Sequence, residues 1–586
     1  MILNSSMIKY TLLIGLGFCS VAAFAQEEEQ PPKQEEVKGT LGEIDVVRDY
    51  KPILADAVKI RQSPDLTNNR KYLSKLSYNI FDRKLDINTG THRLEIQQMP
   101  AIRPDILTNN YAKIGAGNFN TLLGEVYISN GEDEGLQVGG FVKHLSQKGT
   151  ELEGQNFSEQ KIGLFGKSVL DRITVGGEIG FNRYATRYYG LVPANLQPDF
   201  PMPEPLPDPT KQHYNDIYIK GELYSNHEEN EELLSYSLKA DGYLFGNAFS
   251  AKENSFALSG SINKKVNAFN VGANVSGDFT SLQSQGQTLG NHIARLNPYI
   301  RFQGNNYKLT LGATFVSEFG GEENRNNIFP TVDIDFALVP EYASLYAGVK
   351  GDVVKTSFRS LANENPFLTE TPFIDTTNNT LTVHNMLEKL NVFGGIKGNA
   401  GATLGYKIGV FYKQISDLPL YAITPNNPNR YDIIYDRADK NTVFGFEGDI
   451  NVRVSEAFSL GGNLIFNEYD LENEAEAWFI PKMRLAANTR INISKKVYID
   501  GEVFFNDAMK ARTYEQYAGI PNATPNAPVT VSMPSFLDVS AGLEYRATKQ
   551  IGVYVRGNNL LNKGYERFLY YPRLGFNVIG GVNVSF

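Results

Sequence analysis

His144 and Ser146 stand two residues apart in the stretch KHLSQKGTELEG, residues 143–154. Residues i and i+2 of an extended strand share a face. An imidazole could therefore sit beside a hydroxyl there, as a base beside a nucleophile. One such pair in 586 residues is expected by chance. It also lies where a strand runs out into a polar loop, so the pattern favours a loop base over catalysis. The other histidines, His92, His213, His227, His292 and His384, have no metal-ligand spacing and no cysteine to assist them. Acidic pairs are common in the polar segments but form no constellation. Gly139-Gly140, Gly176-Gly177 and Gly580-Gly581 fall inside alternating segments. Glycine there suits sheet curvature or a ring lying across the backbone, not a phosphate. The sequence offers no catalytic residue, no metal site and no cofactor site, and the chain is not expected to be an enzyme.

The elements that carry these residues are more informative. The chain ends in FNVIGGVNVSF, in which Phe576, Val578, Val582, Val584 and Phe586 share one face and Asn577, Asn583 and Ser585 the other. Earlier segments repeat the pattern. Ile551, Val553 and Val555 oppose Tyr554, Arg556 and Asn558; Leu537, Val539 and Leu543 oppose Asp538, Ser540 and Glu544. Phe444, Phe446 and Ile450 oppose Glu447, Asp449 and Asn451. An apolar face backed by a charged face, over runs of about nine to thirteen residues, is the pattern of strands that cross a membrane at a tilt. A soluble sandwich uses shorter strands, of about 5–6 residues.

From residue 109 onward the connections alternate. Short ones fall near 118–121, 130–135, 494–497 and 546–551; long ones near 190–213, 281–292, 357–381, 414–441, 506–536 and 558–575. Short turns at one end and long loops at the other are expected of an outer-membrane barrel. The predicted fold class is all-β: a transmembrane antiparallel barrel of about 22 strands over 109–586, with 20 as the alternative count. Its last strand should close against the first near Tyr111 to Gly117. No periodic helix is expected in it. Tyr188-Tyr189 and Tyr570-Tyr571, near strand ends, are expected to join an aromatic girdle.

The net charge of −9 and the lack of a basic stripe exclude nucleic acid as the partner. The mean hydropathy is −0.30, a value that barrel strands also give because their inward residues are polar. Residues 1–25 read as a signal peptide, with Lys9 before an apolar stretch and Ala23-Phe24-Ala25 as the cleavage site. The single cysteine, Cys19, lies inside it; Phe18 before it disfavours lipidation. Residues 26–40, acidic and Pro-containing, read as a flexible tether, and 41–108 as a short periplasmic or lumen-filling segment. The expected location is the outer membrane of a Gram-negative cell, with its lipid and the barrel assembly machinery as partners.

The C-terminal part is similar to TonB-dependent receptor barrels. The residues that carry this are VFGFEGDINV (443–452), FIPKMRLAANTRINISKKVYIDGEVFF (479–505) and LDVSAGLEYRATKQIGVYVRGNNLLNKGYERF (537–568). Asn558, Asn559, Leu560, Leu561, Asn562 and Tyr565 match that family's stretch after the penultimate strand, and Phe586 resembles its terminal aromatic insertion signal. The resemblance implies transport of a solute across the outer membrane. It also implies a short segment near the N-terminus that pairs with a TonB-type energy transducer, and Glu43, Ile44, Asp45, Val46 and Val47 are similar to that segment. The chain departs from the family in having no recognisable plug motif and too few residues before the first strand for a full plug. A barrel this wide leaks if empty. Residues 41–108, another envelope subunit, or the barrel's own loops and inward side chains must fill it. The alternative function is therefore a non-transporting barrel subunit or scaffold that has lost its plug.

Overall fold

Alternation decides which side chains meet lipid. On the strand Ile551–Asn558, Val553 is 44% exposed while its neighbour Tyr554 is 6% exposed. Leu543 and Tyr545 point outward and Ser540 and Glu544 inward on Phe536–Arg546, and the same split holds on Asn441–Ser455 and Asn577–Ser585. The computed structural model describes residues 110–586, apart from short stretches at 131–134, 150–151, 191–209, 227–232, 268, 322–323, 341, 376–379, 401–402, 426 and 456. The proposed signal peptide, tether, 41–108 segment and Glu43 to Val47 lie outside the described residues.

Twenty-two strands form one antiparallel sheet. Tyr111–Gly117 pairs with Thr121–Ser129 on one side and with Asn577–Ser585 on the other, from Tyr111 opposite Ser585 to Gly117 opposite Ile579. The sheet is therefore a closed barrel with no unpaired edge. The expected count of 22 and the expected closing strand are both observed. No helix among the described residues is long and apolar enough to cross a membrane, so the strands make the wall. Two glycines show how the wall curves. A side chain at Gly139 would meet the Phe165 ring at 2.5 Å, and one at Gly581 the Ile114 carbonyl at 2.0 Å.

Three expectations are corrected. Residues 281–292 are not a long loop: Phe269–Ser284 and Gln287–Gln303 continue as a hairpin to a two-residue turn, Gln285-Gly286, with φ of 48° and 77°. Alternation fades there because the outward positions Ser281, Gln283 and Thr288 are polar and the inward face mixes Thr280 and Ser284 with Leu282, yet the backbone goes on pairing. The strands span 7 to 17 residues, more widely than nine to thirteen. Finally, one long connection holds a helix, Phe358–Glu364.

Candidate functional site: a loop-built cap in the barrel mouth

The connection between Ala343–Val354 and Met386–Ala400 turns inward at the long-loop end. Its helix starts at Ser357, whose Oγ accepts from the Ser360 N–H at 3.0 Å, a standard N-cap. The next free N–H groups, of Phe358 and Arg359, donate to the Glu253 carboxylate at 2.7 and 3.1 Å. Arg359 also donates to Asp216 at 2.7 Å and lies over the Tyr243 ring at 4.3 Å, and Lys355 pairs with Asp278. Asp216 and Glu253 are buried wall residues and alternate with outward-pointing Ile217 and Phe256 on their strands. The helix is thus pinned to the inner wall by charge-assisted bonds, which are stronger than neutral ones. Between these ties Phe358 sits edge-on against Phe245 at 5.1 Å and Tyr214 at 6.1 Å, both wall residues.

Loops distant in sequence complete a shared core. The hairpin Leu418–Ile423 with Tyr431–Asp436 is buried along its whole first strand. It meets the helix loop where Leu368 bridges to Tyr431, and Tyr421 Oη donates to the Leu361 carbonyl at 3.3 Å. The last connection contributes Phe568, Leu569, Tyr570 and Tyr571. Tyr571 stacks on Phe367 with centroids 3.5 Å apart, and its hydroxyl donates to the Asn429 carbonyl at 2.6 Å. Tyr431 Oη reaches the Leu569 carbonyl at 2.8 Å, and Tyr570 Oη the Tyr517 carbonyl at 2.7 Å. Tyr188 donates to the Leu368 carbonyl at 2.6 Å, with Arg430 over its ring at 3.3 Å and Arg430 paired to Glu370 at 2.8 Å. Trp478, the single tryptophan, is buried with its Nε1 donating to Glu474 at 2.8 Å, and Arg512 pairs with the same carboxylate. Buried tyrosine and tryptophan need such partners.

A cavity of about 170 Å³ opens between this cap and the wall, lined among others by Tyr189, Phe367, Asp538, Tyr565, Arg567 and Arg573. Aromatic faces and convergent charges are what a solute-binding cleft offers. Burial lowers the Arg567 guanidinium to about 9, against the raising effect of nearby Glu364. Burial raises Glu566, against the Tyr570 N–H that it accepts at 2.9 Å. Asp432 in the hairpin is raised to about 6, by burial first and then by Glu370.

The sequence-derived residues fall out as follows. Tyr188, Tyr570 and Tyr571 are cap residues, not a girdle, because each ring is buried and its hydroxyl is tied to a loop backbone. The Asn-rich motif builds the base of the last loop. Asn558 donates to Asn577 at 3.1 Å, and Asn559, at φ 49°, donates to the Lys563 and Leu574 carbonyls. Asn562 accepts from the Phe576 N–H at 2.8 Å, while Leu560 and Leu561 are exposed. Tyr565 stacks on Phe536 at 4.1 Å and donates to Asp538 at 2.6 Å. Phe586 is exposed and its N–H donates to the Asn110 carbonyl at 3.1 Å. His144 and Ser146 do approach, Nε2 to Oγ at 3.2 Å, with Gln160 at 3.3 Å from Nδ1. They share the outward face of Leu136–Lys148 with Val142 and line no part of the cap cavity. Sequence reasoning missed Phe358, Phe367, Tyr431 and Arg567. The signal available was apolar content inside loops, as in LPLYAI (418–423) and YDIIYD (431–436).

No protein-family model matches the sequence, and no curated protein does. Solved structures do. The pyoverdine outer membrane receptor FpvA from Pseudomonas aeruginosa PAO1 superposes with a TM-score of 0.60 at 12% identity, over 81% of this chain and 78% of that one. The FrpB iron transporter from Neisseria meningitidis gives 0.60 at 9% identity, over 82% and 83%. The siderophore receptor PirA from Acinetobacter baumannii gives 0.58 at 12% identity, over 82% and 81%. At such identity the likeness is one of fold: this chain is a closed 22-strand barrel similar to the barrels of those receptors and transporters.

Proposed function

We propose that the chain is an outer-membrane barrel of the TonB-dependent receptor type that takes up a solute from outside the cell. The observation that carries this reading is the aromatic and charged cavity held at the long-loop end of a barrel similar to iron and siderophore receptors. Iron chelates are the first solutes to test, on the strength of those neighbours' names. Tyr189, Phe367, Tyr565 and Arg567 are the binding residues we infer, and binding must loosen the cap for the solute to pass. Residues 1–25 are read as the leader, 26–40 as the tether and 41–108 as the periplasmic or lumenal segment. Glu43 to Val47 are assigned to docking on a periplasmic energy transducer by strand addition. Asn558 to Tyr565 hold the last hairpin, and Phe586 serves the barrel assembly machinery. No catalytic role is assigned, His144 and Ser146 included.

A second reading, a scaffold subunit without transport, is favoured by one observation: the cap is packed as a continuous core rather than as separate loops. Mild detergent extraction followed by mass spectrometry of co-purifying proteins separates the two. Transport predicts a periplasmic energy transducer that is lost when residues 43–47 are deleted. Envelope proteins that survive that deletion, with no transducer, would establish the scaffold instead.

A further inference from the structure

Three oxygens on residues around the cap cavity have nothing to accept from. Gln155, just before the strand Asn156–Val169, Asp538 on Phe536–Arg546, and Asn559, just after Ile551–Asn558, all line that cavity. Gln155 Nε2 donates to the Pro572 carbonyl at 2.9 Å, and Asn559 Nδ2 to the Lys563 and Leu574 carbonyls at 3.1 and 3.2 Å. A carbonyl only accepts, so each amide is held with its oxygen turned the other way. Asp538 accepts from the Tyr565 hydroxyl through Oδ2. Gln155 Oε1, Asp538 Oδ1 and Asn559 Oδ1 are buried, and no described residue donates to them. Gln155 and Asn559 are each 4% exposed. Buried acceptors are normally paired, because an unmet one has lost its hydration for nothing.

The charges that line the same cavity are already matched. Glu159 pairs with Lys161 at 3.0 Å, and Glu364 acts on Arg567. One carboxylate, Asp538, and one guanidinium, Arg573, remain, and both act on Tyr565. Balanced charge gives no net pull on a bare cation or an anion. An iron chelate spends its acidic protons and oxygen lone pairs on the metal, so it brings no donors for these oxygens. A hydroxyl donates and accepts at once. It can donate to the three oxygens and accept from Arg573. The rings of Tyr189, Phe367 and Phe568 line the cavity as well and offer apolar surface to the C–H faces of a sugar ring.

We infer that the cavity binds a neutral, hydroxyl-rich solute, a saccharide, whose hydroxyls donate to Gln155, Asp538 and Asn559. The inference rests on the reading of this cavity as the solute site, and it names a sugar in place of an iron chelate. The three oxygens are closed off while the cap is packed. The solute therefore reaches them as the cap loosens, and the bonds it makes there favour the loosened state.

The test is saturation-transfer NMR with isothermal titration, on the full chain in a detergent that carries no sugar. The probes are maltose, cellobiose, lactose, mannobiose and xylobiose, each beside its fully O-methylated form, and a ferric trihydroxamate. At least one free disaccharide should bind. Its O-methylated form keeps the rings and the acceptors but has no donor, and should bind about tenfold more weakly or worse. Asp538→Asn turns an acceptor into a donor and should weaken binding about tenfold; Gln155→Met should weaken it about fivefold. Both variants, checked for heat-modifiable folding, should narrow the gap between free and methylated sugar, which mere loosening of the cap would not do. Lys482→Gln, at an exposed pair with Glu468, should bind as the wild type does. No binding by any disaccharide, equal binding of the methylated forms, or unchanged binding by both folded variants would overturn the inference. A bound ferric chelate with every sugar inert would keep the receptor reading and end this one. Sugar binding without a co-purifying transducer would do the reverse.

Discussion

The wall and the cap use the same kind of residue in opposite ways. Phe444 in the wall is 52% exposed, and Phe358 in the cap is fully buried, at 0%. Phe444 belongs to a strand whose backbone bonds are all satisfied by its neighbours, so its ring is free to face lipid. Phe358 sits in a loop that must find its own partners, and it finds them among inward wall rings and other loops. The wall is held by a local, repeating ladder, and the cap by contacts between segments far apart in sequence. Breaking one should therefore leave the other standing.

The largest effect is expected for Phe358→Ala. Emptying a fully buried aromatic site costs about 3–5 kcal/mol, and here the cost falls on the cap alone. Hydrogen exchange should rise over 418–423 and 566–571 while the protein keeps its heat-modifiable migration. Loss of that migration would mean that cap and wall fold as one unit. Val555→Arg attacks the other side of the comparison. Arginine on the lipid face near the midplane costs about 2–4 kcal/mol. The yield of folded barrel in outer membranes should fall, with cap exchange unchanged in the molecules that do fold. Val582→Asp should act in the same direction but less strongly.

A smaller effect concerns pH. Asp432 is raised by burial and by Glu370 to about 6 from its ordinary 3.8. The folded hairpin thus holds this proton more tightly than the unfolded chain does. Its stability is greatest at low pH and falls as pH rises from about 4 to about 6. Protection factors in Tyr431–Asp436, with the intrinsic pH dependence of exchange divided out, should fall across that window, and Asp432→Asn should flatten the change. The smallest effect is expected for Tyr571→Phe, which leaves the stack on Phe367 and removes one hydrogen bond to Asn429, about 1 kcal/mol. Local exchange near 567–571 measures it.

The same contrast explains what the sequence made legible. Val553 against Tyr554, or Leu543 against Glu544, spells out a wall because lipid on one side and lumen on the other enforce a period of two. The closing strand and the strand count follow from that enforcement. Where strands rise beyond lipid, as at Thr280 to His292, the outward face turns polar and a paired hairpin passes for a loop. The cap has no period at all. Phe367 and Tyr571 stack because two loops meet in space, and nothing in either segment names the other. Tyr188 and Tyr570 near strand ends look like girdle residues until the loops that cover them are in place. The motif from Asn558 to Tyr565 was visible as a stretch, but its work of holding a loop base shows only in the bonds of Asn559 and Asn562.

The central claim is that loops distant in sequence pack into one core inside the barrel mouth. It is tested most directly by cysteine labelling of the purified protein in detergent. Ala362 is fully buried, at 0% exposed, and Ser360, two residues away on the same helix, is exposed. With a polar maleimide, Ser360→Cys should react fast and Ala362→Cys should stay protected until the cap is loosened by Phe358→Ala. Equal, rapid labelling at both positions in the otherwise wild-type chain would show that the cap is not packed, and the account would fail at its centre.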